Sequence, residues 1–170
     1  MRKIPLIVAA MVLMVAAGGV AGAGSGKTVR TLGDEKLVPN KLVRADLRFS
    51  PGPVTITSGE TITWEHADKT DAPHTVTIAT QEQLVQDFGD FIGGCPECDA
   101  AIGAALDGHF GAGPPIFELD DGDGEFDDPG DSLLFFAGGS VSKQINAPAG
   151  TTLLYFCAIH SWMQGAISVK

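Results

Sequence analysis

Near the C-terminal end, the run Tyr155-Phe156-Cys157-Ala158-Ile159-His160-Ser161-Trp162-Met163-Gln164-Gly165 sets Cys157, His160 and Met163 three residues apart. Far upstream, His74-Thr75-Val76-Thr77-Ile78 alternates as a strand does and puts His74 on the inward parity of Val76 and Ile78. One thiolate, two imidazoles and one thioether are the donors of a blue copper electron-transfer site, a trigonal His₂Cys plane with a weak axial Met. Soft sulfur holds Cu(I), imidazole suits both oxidation states, and a fixed compromise geometry keeps reorganisation small. Taken singly, each residue has a plainer use: Cys157 as a small buried hydrophobe, His74 as a hydrogen-bonded core histidine, Met163 as ordinary core. Four together, in a chain that opens on an export signal, favour the metal set.

Two further groupings have chemical potential. Cys95-Pro96-Glu97-Cys98 is a close cysteine pair, and in an exported chain a disulfide is the favoured state. A zinc or second copper site using His109 is the alternative, though the spacing matches no strong zinc pattern. A thioredoxin-like role lacks the surrounding βαβ pattern. Asp120-Asp121-Gly122-Asp123-Gly124-Glu125-Phe126-Asp127-Asp128 places carboxylates at alternate positions, as at the start of a calcium loop. The twelfth position from Asp121 is Ser132 and from Asp120 is Asp131, so the bidentate Glu is missing. Calcium in this loop and a solvated acidic loop therefore stand side by side.

The elements that must position these groups are short strands. The chain has 170 residues, 44% of them apolar, and a formal charge of −10, enough for one domain with a buried core. Its acidity argues against nucleic acid. Residues 1–23 read as a signal peptide: basic Arg2 and Lys3, an uncharged run from Ile4 to Val20, then Ala21-Gly22-Ala23 at a cleavage site. Cleavage, favoured over an uncleaved anchor helix, leaves a mature chain of −12 outside the cytoplasm, periplasmic or secreted, with no membrane span. Residues 24–40 are expected as a flexible basic lead, and 41–170 as the domain. Val43, Ala45, Leu47 and Phe49 share one parity, Val54 and Ile56 continue after Pro51-Gly52-Pro53, and Ile62 and Trp64 follow Ser58-Gly59-Glu60. Leu153, Tyr155 and Cys157 share a face, and Ala166–Val169 closes the chain. An antiparallel all-β sandwich is the expectation. Residues 81–131 interrupt it as an acidic insertion holding fourteen of the 21 acidic residues and no Lys or Arg. Two short helices are expected there, near Gln83–Phe91 and over Ala100–Leu106 with Asp99 as N-cap.

Cys157-x₂-His160-x₂-Met163 followed by Gly165, with Ala72-Pro73-His74-Thr75-Val76 upstream, resembles the cupredoxins, most nearly the plastocyanin, pseudoazurin and amicyanin group. Phe49-Ser50-Pro51 and the stretch from Ile56 to Trp64 resemble that family's opening strands. The likeness covers residues 42–80 and 133–170. It implies a Greek-key β-sandwich with one type 1 copper at one end, His74, Cys157 and His160 as equatorial ligands and Met163 as axial ligand. It also implies that an exposed edge of His160 is the electron's exit, ringed by an apolar patch with Trp162 and Pro73. His66 stands where the family commonly has an Asn that ties the ligand loops together. It is read as a tie of the same kind, a solvated loop residue or, last, an extra ligand.

An exported one-electron carrier is the functional expectation, and a copper storage, delivery or sensing module is the alternative. Copper oxidases of this fold wire the type 1 site onward through histidine beside the ligand cysteine, and here those neighbours are Phe156 and Ala158. A filled four-donor site also leaves no open position for catalysis, so no enzyme activity is expected. The expected partners are redox proteins, with a basic docking surface to match the acidic insertion, and a monomer is expected.

Overall fold

A computed structural model describes residues 26–170; the signal-peptide reading of residues 1–23 lies outside the described residues. Two sheets enclose one apolar core. The first holds β10 (Ser140–Gln144), β6 (Thr61–His66), β1 (Lys27–Leu32) and β4 (Arg48–Ser50), in that spatial order. The second holds β5 (Pro53–Ile56), β12 (Gln164–Val169), β11 (Thr152–Phe156), β7 (His74–Ala79), β9 (Ser132–Phe135) and β8 (Glu118–Leu119). An all-β sandwich with a partly helical acidic insertion is what forms, as expected. The pairing is not purely antiparallel: β1 runs parallel to β6, and β5 parallel to β12.

Alternation builds the core. Ile62 and Trp64 from the first sheet meet Val76, Ile78, Tyr155 and Ile167 from the second. Trp64 lies edge-on to Tyr155, with ring centroids 5.9 Å apart, and to Phe126, 6.2 Å away. Burying side chains of this size contributes about 1.5–3 kcal/mol each. Phe126 comes from the acidic loop and stitches the insertion into the main core.

The first correction concerns residues 24–40. The expected flexible lead instead supplies β1, whose Val29 and Thr31 are buried between β6 and β4. Its partner β6 lies more than thirty residues away, a pairing that local pattern does not reveal. The second concerns Val43 and Ala45. They belong to β3 (Leu42–Ala45), which pairs only with β2 (Glu35–Val38) in a separate hairpin, and both are exposed. Asp46 closes the hairpin's base: its amide donates to Asp34 O (3.1 Å) and its carboxylate accepts the Asp34 amide (2.6 Å). Gly33 enters it with φ +119, and a Cβ there would overlap the Asp46 carbonyl.

In the insertion, one helix replaces two. α1 (Pro96–Phe110) starts at Pro96, whose fixed φ and missing N–H suit a first turn. Its N-cap is Cys95, not Asp99; the Cys95 sulfur accepts the Cys98 amide. The Gln83–Phe91 region carries only a 3₁₀ turn (Gln81–Gln83), followed by a π-turn (Asp90–Gly94) broken at Gly93 (φ 101). Ala101, Ile102, Ala105 and Leu106 of α1 pack on Leu154, Phe156 and Ala158. Those three point away from the main core, so β11 is covered on both faces.

Candidate metal centre

His74 opens β7 and Cys157 directly follows β11, two strands paired side by side. A tight loop then returns to β12. The His160 amide donates to Cys157 O (3.1 Å), the Met163 amide to His160 O (2.7 Å), and the Cys157 amide to Met163 O (3.0 Å). Three residues per step is what this double turn needs to bring Cys157, His160 and Met163 to one end of the sandwich. The Nδ1 atoms of His74 and His160 each lie 3.7 Å from Cys157 Sγ. The ligand atoms of these three residues fall within 4.8 Å of one another, and all three residues are buried. Met163, fully buried, closes the loop and belongs to the main core.

The surroundings fit a soft, partly charged ion. The Thr75 amide donates to Cys157 Sγ (3.4 Å), a contact that suits a thiolate. Burial pushes the Cys157 thiol up, while hydrogen bonds from Thr75, His160 and Ile159 draw it down. Burial pulls His74 down to about 4, against the Asp68 carboxylate, and lowers His160 against Glu35 and Asp68. The imidazoles are thus neutral and ready as donors, and a metal would take the thiol's proton. The convergence of two neutral imidazoles on a buried sulfur is the donor chemistry that copper requires.

The neighbouring residues do more than sequence reading anticipates. Asp68, in the polar loop between β6 and β7, has a side chain fully shielded from solvent and accepts the His74 Nε2–H at 2.7 Å. Burial works to raise its pKa, but hydrogen bonds from Thr31 and Thr70 and the His74 charge outweigh it and hold the carboxyl well below the usual range. His66 donates through Nε2 to the Ala72 carbonyl at 3.1 Å, so it ties the end of β6 to the loop that carries His74. No residue spacing marks Asp68; only the fold brings it under the ring.

The His160 edge differs from expectation. His160 is only 4% exposed, because the β2–β3 hairpin leans over it and sets Glu35 Oε2 3.8 Å from its Nε2. Trp162 stands edge-on to the His160 ring at 5.4 Å, and Phe91 edge-on to Trp162 at 5.2 Å. Beyond them, a groove of about 850 Å³ between the hairpin and the insertion is lined by Leu37, Val43, Phe88, Phe91 and Trp162.

Cys95 and Cys98 are joined as a disulfide. His109, at the far end of α1, donates through Nδ1 to Ile116 O (2.6 Å) and accepts at Nε2 from Ser132 Oγ (2.7 Å). It therefore takes no part in a site with the cysteines. In the acidic loop, Asp120 accepts the Gly122 and Gly124 amides, and Asp121 and Asp123 accept those of Asp123 and Glu125. Asp131 is buried and accepts from the Asp127 and Asp128 amides.

Comparison with solved structures finds a purple cupredoxin from Nitrosopumilus maritimus at 17% identity, covering 85% of this chain and 99% of that one, with a TM-score of 0.43. The reduced auracyanin of Roseiflexus castenholzii is 19% identical over 86% of this chain and 99% of that one, with a TM-score of 0.46. Auracyanin A of Chloroflexus aurantiacus is also 19% identical, over 84% and 98%, with a TM-score of 0.46. No curated protein matches the chain. The family model for copper binding proteins of the plastocyanin/azurin family matches residues 38–170, a span that contains His74, Cys157, His160 and Met163. The chain belongs to the plastocyanin/azurin family of copper binding proteins.

Proposed function

We propose that the protein is an exported electron carrier holding one type 1 copper through His74, Cys157 and His160, with Met163 as the weak axial ligand, and that it is not an enzyme. The observation that carries this reading is the convergence of the His74 and His160 Nδ1 atoms on the buried Cys157 sulfur. Bound copper would supply a one-electron Cu(I)/Cu(II) couple. The protein's own part is to hold the donors in place. β7 and β11 fix His74 and Cys157 relative to each other, and the double turn fixes His160 and Met163 to Cys157. The apolar walls keep water out. Four protein donors leave no open position for a substrate, which favours carriage over catalysis.

Electrons would leave through His160 and the edge-on ring of Trp162 toward the groove beside Phe91, rather than from a bare His160 edge. The partners are read as redox proteins. The insertion carries fourteen of the 21 acidic residues, which supports a basic docking surface on the partner; of these only Asp87 lines the groove. The Cys95–Cys98 disulfide supports export, as does the reading of residues 1–23 as a signal peptide.

Loading the purified protein with Cu(II) should produce an intense thiolate-to-copper visible band and a reversible one-electron wave. Cys157→Ser should remove both. A colourless copper-treated protein with all four donors intact overturns the reading.

A further inference from the structure

His74 touches polar groups at both ring nitrogens. Nδ1 faces Cys157 Sγ at 3.7 Å, and Nε2 meets Asp68 Oδ2 at 2.7 Å. A carboxylate can only accept here, so the ring proton sits on Nε2 and the Nδ1 lone pair points into the cluster of donors. Asp68 itself cannot swing away. Its Oδ1 accepts from the Thr70 amide (2.9 Å) and the Thr70 hydroxyl (2.7 Å), which leaves Oδ2 for the ring.

The charge on Asp68 is met by hydrogen bonds and imidazoles, not by a permanent cation. Its side chain is 0% exposed, and among the described residues its only ion-pair neighbours are His74 and, at 3.8 Å, His66. The His66 Nε2–H is already given to the Ala72 carbonyl. No Lys or Arg of the described residues lies within ion-pair distance. A buried negative charge on the rear nitrogen of a candidate ligand stabilises the more positive state of an ion on the front nitrogen, and low dielectric strengthens that effect.

We propose that Asp68 is a positioning residue for the metal centre: it fixes His74 with Nε2 protonated and Nδ1 free, and its charge favours Cu(II) over Cu(I), holding the reduction potential down. This rests on the reading of His74 as a copper ligand. The effect belongs to this loop, where Asp68 and Thr70 stand six and four residues before His74.

Two measurements test it. In metal-free protein labelled with ¹⁵N, the His74 ring should show protonated Nε2 and bare Nδ1, with a slowly exchanging Nε2–H. A ring protonated at Nδ1 overturns the positioning role. In copper-loaded Asp68→Asn, which keeps an amide oxygen for the ring but drops the charge, the ratio of Cu(I) to Cu(II) affinity should rise about tenfold. For a one-electron couple, that is about 59 mV upward. A change below twofold, or a downward shift, overturns the charge role. If Asp68→Asn does not fold, the ring proton in the unmodified protein still decides. That measurement needs no copper, so an unmodified protein without the thiolate-to-copper band would sink the electron-carrier reading while the tautomer is judged separately.

Discussion

Gly165 sits opposite Tyr155 where β12 leaves the ligand loop, and a Cβ there would overlap both the Tyr155 ring and the Gly52 carbonyl. The Tyr155 ring is fixed between Phe49 and Trp64, at 5.0 and 5.9 Å between centroids, so it has no room to give. Gly165→Ala should therefore destabilise the fold by about 1–3 kcal/mol, as overpacking does, seen as a lower urea midpoint at unchanged slope. A midpoint equal to the parent's would mean that the core yields more easily than its packing indicates. At this scale the sequence was informative where chemistry dictates spacing. The three-residue steps of Cys157, His160 and Met163 are legible because a double turn requires them. Asp68 was not, because an aspartate in a polar loop looks the same whether it faces water or a buried ring.

Elements become legible when their own pattern suffices. β6, β7 and β11 alternate plainly, and the turns before them carry Gly and Pro. β1 and the β2–β3 hairpin failed for opposite reasons. β1 is polar in sequence and is recruited by distant β6, whereas Val43 has an apolar pattern but no sheet of the sandwich to join. α1 joins the insertion to the site's neighbourhood through a buried chain of hydroxyls. The Ala158 amide donates to Thr75 Oγ1 (2.7 Å), which lies 3.1 Å from Thr77 Oγ1. Thr77 Oγ1 is 2.7 Å from Ser132 Oγ, and Ser132 reaches His109 Nε2. Because the His109 Nδ1–H goes to Ile116 O, every hydroxyl in the chain donates toward α1 and all are satisfied at once. Ser132→Ala breaks it in the middle, leaving the His109 Nε2 without a donor and the Thr77 hydroxyl without its acceptor in the interior. The expected cost is about 1–3 kcal/mol, measured by chemical denaturation, with α1 losing hydrogen-exchange protection first. Loss confined to β7, with α1 unaffected, would mean that the chain does not anchor the helix.

For the whole molecule, the buried imidazoles set how stability responds to acid. Burial pulls His74 down to about 4 and also lowers His109 and His160. In the unfolded chain these rings take up protons near pH 6.5. Below that pH the unfolded state binds more protons than the folded one, so stability must fall as acid is added. The contribution is complete above about pH 6.5 and is lost progressively toward pH 4. His74 alone accounts for about 3 kcal/mol across that window, from 1.36 kcal/mol per unit. Asp127 and Asp131 act in the opposite sense: burial raises both, so protonating them relieves a penalty. Their ordinary values lie near the acid end of the window, which leaves the imidazoles in control of its upper part. Metal-free protein should therefore lose unfolding free energy between pH 7 and pH 5, measured by urea titration at each pH. Replacing His109 by Gln should flatten part of the slope even though that residue is no candidate ligand. A stability that stays level over this range would show that the rings titrate freely in the folded state, and the dry, neutral donor pocket described here would have to be given up.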